Sequence, residues 1–165
     1  MISKSIEELT LSGFITFGRF APLLNPSAPF IGQKPVEFFR DMLSLDLGNA
    51  TKASFSICRV EKRPEIIDCL EYHNTSAEMA LPLDSDILLY AAPAGTPDGF
   101  RPEDIRVFRV PRGTMVVINV GVWHQAVFAD KADYTNVLIC LPERLYVNDC
   151  VVRQLKENEK IAITR

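Results

Sequence analysis

At 165 residues with 47% hydrophobic content, the chain is long enough for one well-formed core and too short for two ordinary domains. Its formal net charge of −3 comes without long single-sign runs, which removes the electrostatic reason to expect nucleic acid or an anionic membrane as partner and leaves small neutral or anionic metabolites. The opening MISKSIEELTLSGF lacks the apolar run of a secretory signal, and no stretch reaches the roughly 20 apolar residues needed to span a bilayer, so a soluble cytoplasmic protein is expected.

In chain order, Ser3 or Ser5 is placed to cap a short helical turn through Glu7 or Glu8, and residues 13–18 read as a short strand. Pro22, Pro26, Pro29 and Pro35 exclude a regular element over most of 22–35, a long loop in which Phe30 and Ile31 either close over a site or pin a surface crossing. Residues 35–43 read as the one clear helix, with Val36, Phe39, Met42 and Leu43 on a stripe. After Gly48-Asn49 the texture becomes strands at 53–60, 66–73, 78–83, 87–92, 105–110, 114–120, 124–129 and 134–141, with turn signals between them. That rhythm predicts a mainly β protein, a single domain over 1–165 whose closed antiparallel barrel or jelly roll occupies about 53–141 behind a short helical N-terminal region. The tail from Asn148 fits either a helix through Val151, Val152 and Leu155 or an edge strand at Ile161-Ala162-Ile163. Cys58, Cys69, Cys140 and Cys150 are scattered without a C-x-x-C pair and read as free thiols.

Polar residues that interrupt apolar strands mark the candidate chemistry. Gly113 to Phe128, GTMVVINVGVWHQAVF, joins two apolar runs through Asn119-Val120-Gly121 and sets His124 at the start of the return strand. In 66–73, alternation puts Ile67, Cys69, Glu71 and His73 on one face and Asp68, Leu70 and Tyr72 on the other. Four residues separate His73 from Glu78. These residues supply two imidazoles and one or two carboxylates, a donor set suited to Mn, Fe, Ni or Zn. Each has a plainer reading alone: Glu71 and Glu78 as solvated carboxylates, His73 as a strand-end polar residue, His124 as a hydrogen-bonded core histidine. Arg59 shares strand parity with Phe55 and Ile57 and reads either as a partner for a substrate carboxylate or as a surface arginine.

The spacings Glu71-x-His73-x4-Glu78 and Asn119-x-Gly121-x2-His124 resemble the two motifs of the cupin superfamily, with glutamate where the first histidine usually stands and asparagine where proline does. Phe14-Ile15-Thr16-Phe17-Gly18, Ser56-Ile57-Cys58-Arg59, Glu71-Tyr72-His73, Ile105-Arg106-Val107-Phe108 and above all Gly121-Val122-Trp123-His124-Gln125 are similar to successive blocks of the ureidoglycolate lyase family, cupins of purine and allantoin catabolism. The resemblance implies release of glyoxylate and urea from ureidoglycolate, a homodimer, and a divalent metal held by His73, Glu78 and His124. It also implies catalytic roles for Glu71, His73 and His124, with substrate held by Arg59, Asn119 and Trp123. The chain departs from the family's usual residues at Ile118-Asn119, where Tyr-His is common, and at Glu78, Gln125 and Leu141-Pro142. Two other readings use the same fold: a divergent cupin that binds a small carboxylate as a sensor or structural dimer, and a metal-dependent isomerase or oxygenase acting on another hydroxy acid.

Overall fold

The computed structural model describes residues 1–165. Its elements are β1 (Ile2–Glu8), α1 (Leu11–Phe14), β2 (Gly18–Pro22), β3 (Phe30–Gln33), β4 (Val36–Phe39), β5 (Ala53–Glu61), β6 (Ile66–Ile67), β7 (Cys69–Tyr72), β8 (Glu78–Pro82), β9 (Ile87–Ala91), β10 (Arg106–Val110), β11 (Thr114–Ile118), β12 (Phe128–Ala129), β13 (Tyr134–Pro142), α2 (Leu145–Asn148), β14 (Val151–Gln154) and β15 (Ile161–Thr164). No helix is long and apolar enough to cross a membrane.

The strands form a six-stranded sheet, β12-β9-β10-β1-β15-β6, and a five-stranded sheet, β2-β11-β8-β13-β5, with β7 and β14 paired separately. Period-two alternation explains how they pack. Ile87, Leu89, Ala91, Phe108 and Val110 of the first sheet meet Ala80, Val116, Ile118 and Val137 of the second in one core. The opposite parity sends Leu88, Tyr90 and Val107 into a second core with Leu70, Tyr72, Trp123, Phe128, Leu155 and Ile161. Since β9 is buried on both faces, its five residues are all apolar instead of alternating. Phe14 of the single-turn α1 inserts beside Phe108 in a T-shaped pair with centroids 5.1 Å apart, and Thr10 caps the turn by accepting from the Gly13 N–H.

Several expected elements differ. The helical turn expected over the first residues is the strand β1, because Ile2, Lys4 and Ile6 are partly buried while Ser3 and Ser5 are exposed, a period of two. β1 runs parallel to β10 and β15, so the architecture is not wholly antiparallel. The strand expected at 13–18 is the end of α1 and the lead into β2.

No helix forms at 35–43. Val36–Phe39 instead pairs with Phe30–Gln33 inside what read as a loop, in a register that opposes Phe30 to Phe39 and Ile31 to Phe38. Gly32, at φ +94°, permits the close approach, since a Cβ there would lie 2.6 Å from the Val36 carbonyl oxygen. In the tail, Val151 and Val152 belong to β14, which pairs with β7, and the only helical turn there precedes them at Leu145–Asn148.

Phe108 is fully buried between Phe14 and Phe17. Phe108→Ala should lower the unfolding free energy in urea by about 3–5 kcal/mol, whereas Tyr146→Ala, at a site 70% exposed, should change it by less than about 0.5 kcal/mol. A loss at Phe108 no larger than that at Tyr146 would contradict this packing.

Candidate active site

Three pieces of backbone aim four side chains at one point. Glu71 and His124 face each other across an antiparallel bridge, the Glu71 N–H donating to the His124 carbonyl (2.6 Å) and the His124 N–H to the Glu71 carbonyl (2.8 Å). Gly121, at φ +77°, turns the hairpin so that its N–H reaches the His73 carbonyl at 2.8 Å. Glu78 opens β8 opposite Ile118 of β11, on the inner face of the sheet.

Glu71, His73 and His124 consequently bring one ligand atom each within 4.8 Å of the others. Glu78 Oε2 lies 3.1 Å from His73 Nε2 and 3.5 Å from His124 Nε2. Two donors bound about 2.1 Å from one ion sit about 3.0–3.4 Å apart, so these separations are those of ligands around a single cation.

The hydrogen bonds behind the rings decide their chemistry. His73 Nδ1 lies 2.7 Å from the Asp149 carbonyl and His124 Nδ1 2.8 Å from the Val122 carbonyl, so each Nδ1 carries the proton and donates it. In the neutral rings both Nε2 lone pairs then converge on the Glu78 carboxylate, an arrangement of acceptors that needs either a proton or a cation at its centre.

The electrostatics agree with that need. Burial alone would raise the Glu78 carboxyl, but hydrogen bonds from His124 and His73 outweigh it and hold the pKa at about 2. For His124, burial pulls the pKa down and the Glu78 hydrogen bond and charge more than reverse it, leaving it above the ordinary histidine value.

Behind these four lies the β14 segment. Asp149 accepts from the N–H groups of Asn74 (2.9 Å) and Thr75 (2.8 Å), and also from the Asn74 amide and the Thr75 hydroxyl, so it clamps the turn after His73 while its carbonyl holds the ring. The Cys150 thiol donates to Glu71 Oε2 at 3.0 Å. Burial first, and then that bond and the Glu71 charge, push its pKa up to about 12, so Cys150 stays a neutral donor. In front lies a cavity of about 270 Å³, walled by Ala80, Leu89, Ile118, Val127, Val137, Ile139 and Leu141, with Glu71, Glu78 and His124 on its floor.

The sequence model described as ureidoglycolate lyase matches residues 2–162. The chain belongs to the ureidoglycolate lyase family. No curated protein matches this family member closely enough to count. Among solved structures, it is similar to a dTDP sugar isomerase from Desulfovibrio desulfuricans G20, at 13% identity over 86% of this chain and 87% of that one, with a TM-score of 0.52. That likeness identifies the mainly β fold as cupin-like. An oxalate decarboxylase is similar at 16% identity over 62% of this chain, with a TM-score of 0.43. A Bacillus subtilis oxalate decarboxylase structure, from work on its Mn(II) centers, is similar at 14% identity over 75%, with a TM-score of 0.42. The lyase-family chain spans 24% and 33% of the length of these two decarboxylase chains.

The structure brings together Glu71, His73, Glu78 and His124 and leaves out the three residues expected to hold substrate. Arg59 is on the outer face of β5, where its Nε donates to Asn136 Oδ1 at 3.0 Å and its guanidinium lies over Tyr134. The inward parity on that strand belongs to Ser56, Cys58 and Val60. Asn119 is exposed at the hairpin turn, and its neighbour Ile118 is the residue that lines the cavity. Trp123 is fully buried in the second core against Tyr72 and Phe100, with its indole N–H on the Gly95 carbonyl. Sequence reasoning missed Cys58, Gln125, Tyr146, Asp149 and Cys150. Cys58 shares the parity of Val60, but Phe55 and Ile57 give the other face an equal claim, and nothing in Asn148-Asp149-Cys150 marks that segment as the backing of a site.

Glu78 and His124 give metal-free protein a defined pH response. The contribution of Glu78 is complete above the ordinary carboxyl value of 4.5 and is lost as the pH falls through about 2; that of His124 is present below 6.5 and is lost as the pH rises through its raised value. Thermal unfolding of metal-free protein should therefore show declining stability on both flanks, and Glu78→Gln should flatten both. An unchanged profile in Glu78→Gln would mean that Glu78 and His124 are not coupled.

Proposed function

We propose that this chain is a carbon–nitrogen lyase that cleaves ureidoglycolate to glyoxylate and urea. The observation that supports the reading most is the cluster of Glu71, His73, Glu78 and His124, three of which, Glu71, Glu78 and His124, form the floor of one cavity in a member of the ureidoglycolate lyase family.

Ureidoglycolate is a carbinolamide bearing a carboxylate, so its cleavage needs a base for the hydroxyl proton, a proton for the departing nitrogen and positive charge near the carboxylate. Glu71 is the base. Cys150 holds one of its oxygens in place, and the proton it takes from the hydroxyl is the one delivered to the nitrogen as the C–N bond breaks and the aldehyde carbonyl forms. His73, Glu78 and His124 would hold, beside Glu71, a divalent ion (Ni, Mn, Zn or Fe), which when bound supplies Lewis acidity and a positive charge. His73 and His124 keep their Nε2 atoms directed at that point because their Nδ1 protons are committed to backbone carbonyls. The apolar walls exclude water from the reacting centre.

Metal-loaded protein should release glyoxylate from ureidoglycolate. Glu71→Gln should lower kcat by about 10²–10⁴-fold, and His124→Ala should abolish turnover and metal retention together. A coupled glyoxylate assay at background level with ureidoglycolate and fully loaded protein would rule out ureidoglycolate as the substrate.

The same reading places the protein in cytoplasmic purine and allantoin catabolism and makes it a homodimer. Exposed Phe30, Ile31, Val36 and Phe38 on the β3–β4 hairpin, and exposed Phe55 and Ile57 on the outer face of β5, support self-association, because monomers rarely leave this much large apolar side chain in water. Sedimentation at micromolar concentration should give a dimer, and Phe38→Glu combined with Ile57→Glu should shift it to monomer. A wild-type monomer would rule the dimer out.

A further inference from the structure

The cavity in front of the site does not match the ureido group. A urea end brings an NH2 donor pair, a carbonyl acceptor and almost no apolar surface. Its surroundings here are Ala80, Leu89, Ile118, Val127, Val137 and Ile139, and the mouth is flanked by exposed Ile57 and Tyr146. No lysine or arginine lines the space.

The polar groups present are largely committed elsewhere. Gln125 accepts from the Ala126 N–H with Oε1 (2.8 Å) and turns its NH2 toward Cys69 Sγ (3.8 Å). Glu78 faces the two histidines, and one oxygen of Glu71 accepts from Cys150. That leaves Ser56 and the Cys58 thiol inside, with the Tyr146 hydroxyl only at the exposed mouth, for a group that wants several hydrogen bonds, so a urea end seated against the apolar wall would be buried with polar atoms unpaired.

We propose that the preferred substrate is a glyoxylate carbinolamide whose departing group is an apolar carboxamide, R–CO–NH–CH(OH)–COO⁻ with R a small aliphatic or aryl group, its R group seated against Ile118, Val127, Val137 and Ile139. The proposal rests on the lyase reading and keeps its chemistry. The hydroxyl loses its proton to Glu71, the C–N bond breaks as the C=O of glyoxylate forms, and the nitrogen regains the proton. The products are R–CO–NH2 and glyoxylate, with no oxidant, reductant or water consumed. The reacting carbon, hydroxyl and carboxylate are common to both substrates, so the floor of the site serves either one and the wall alone discriminates.

The test compares N-benzoyl-2-hydroxyglycine with ureidoglycolate on the full-length, metal-loaded protein. It also measures benzamide and urea binding to the metal-free protein by titration calorimetry, which does not depend on turnover. We expect kcat/KM at least about ten-fold higher for the benzoyl substrate, as hydrophobic pockets discriminate by about 10–200-fold per methylene-sized change, and benzamide binding that exceeds urea binding by a similar factor. Ile139→Asn, at a half-buried wall position, should narrow the kcat/KM ratio by raising the ureidoglycolate value and lowering the benzoyl one. If ureidoglycolate is turned over as well as the benzoyl substrate or better, or if benzamide binds no better than urea, the substrate proposal is wrong and the lyase reading stands. Glyoxylate from neither substrate overturns the lyase reading and this proposal with it.

Discussion

Between Glu71 and His124 two backbone hydrogen bonds, of 2.6 and 2.8 Å, join the end of β7 to the return arm of the 113–128 hairpin, and the geometry of the site follows from that join. Residues directly opposed across an antiparallel pair place their Cβ atoms roughly 5 Å apart on the same face, so a carboxylate and an imidazole at these positions have to meet. The Gly121 N–H on the His73 carbonyl repeats the join one step along, and His73 is thereby set against His124 with ring centroids 5.2 Å apart. Slipping the register by one residue would exchange Glu71 for Leu70 or Tyr72, side chains now packed in the second core, and would put a carboxylate into that core.

The same join fixes what can lie behind the site. With β7 committed to the hairpin on one edge, its other edge takes β14, in a register that pairs Val151 with Tyr72 and Val152 with Glu71. Asp149 and Cys150 are carried in directly before that strand. The Asp149 carboxyl, which burial raises and hydrogen bonds from Thr75 and Asn74 bring down to about 2, stays ionised and keeps the turn closed under His73. Residues far along the chain therefore set the tautomer of one imidazole and hold one carboxylate.

Much of this was readable because strand periodicity carries most of the information. Alternation in 66–73 already put Glu71 and His73 on one face, and the hairpin already set His124 at the start of a return strand. What alternation does not carry is which face is inward when both are apolar. Phe55, Ile57 and Arg59 were grouped correctly, yet they face outward while Cys58 and Val60 face the core, and no feature of Ser-Phe-Ser-Ile-Cys-Arg-Val decides between the two. Trp123 and Ile118-Asn119 divide for a related reason: neighbouring residues point to opposite sides, so the distinctive V-W-H block contributes one residue to the site and one to a separate core. The helix expected at 35–43 failed where Val36 and Phe39 satisfy a helical stripe and a paired strand equally well, and the cross-strand Phe30–Phe39 contact, with centroids 5.3 Å apart, is invisible locally. A strand at Ile161-Ala162-Ile163 was readable as one alternative for the tail, but its place between β1 and β6, and β1 itself, were out of reach, because β1 and β15 pair about a chain length apart.

Glutamate at position 71 changes the charge balance of the site as well as its shape. Two neutral imidazoles with the carboxylates of Glu71 and Glu78 sum to −2, which cancels a divalent cation, whereas a third imidazole at position 71 would leave a net charge of +1. A neutral centre attracts a substrate carboxylate less strongly, and no lysine or arginine in the cavity wall makes up the difference. Affinity for an anionic substrate then has to come from elsewhere in the cavity, and apolar surface is what the cavity offers. Burying about 100 Å² of it contributes about 2.5 kcal/mol, comparable to a charge-assisted hydrogen bond. In the proposed mechanism the glutamate that weakens the electrostatic hold is also the group that takes the hydroxyl proton.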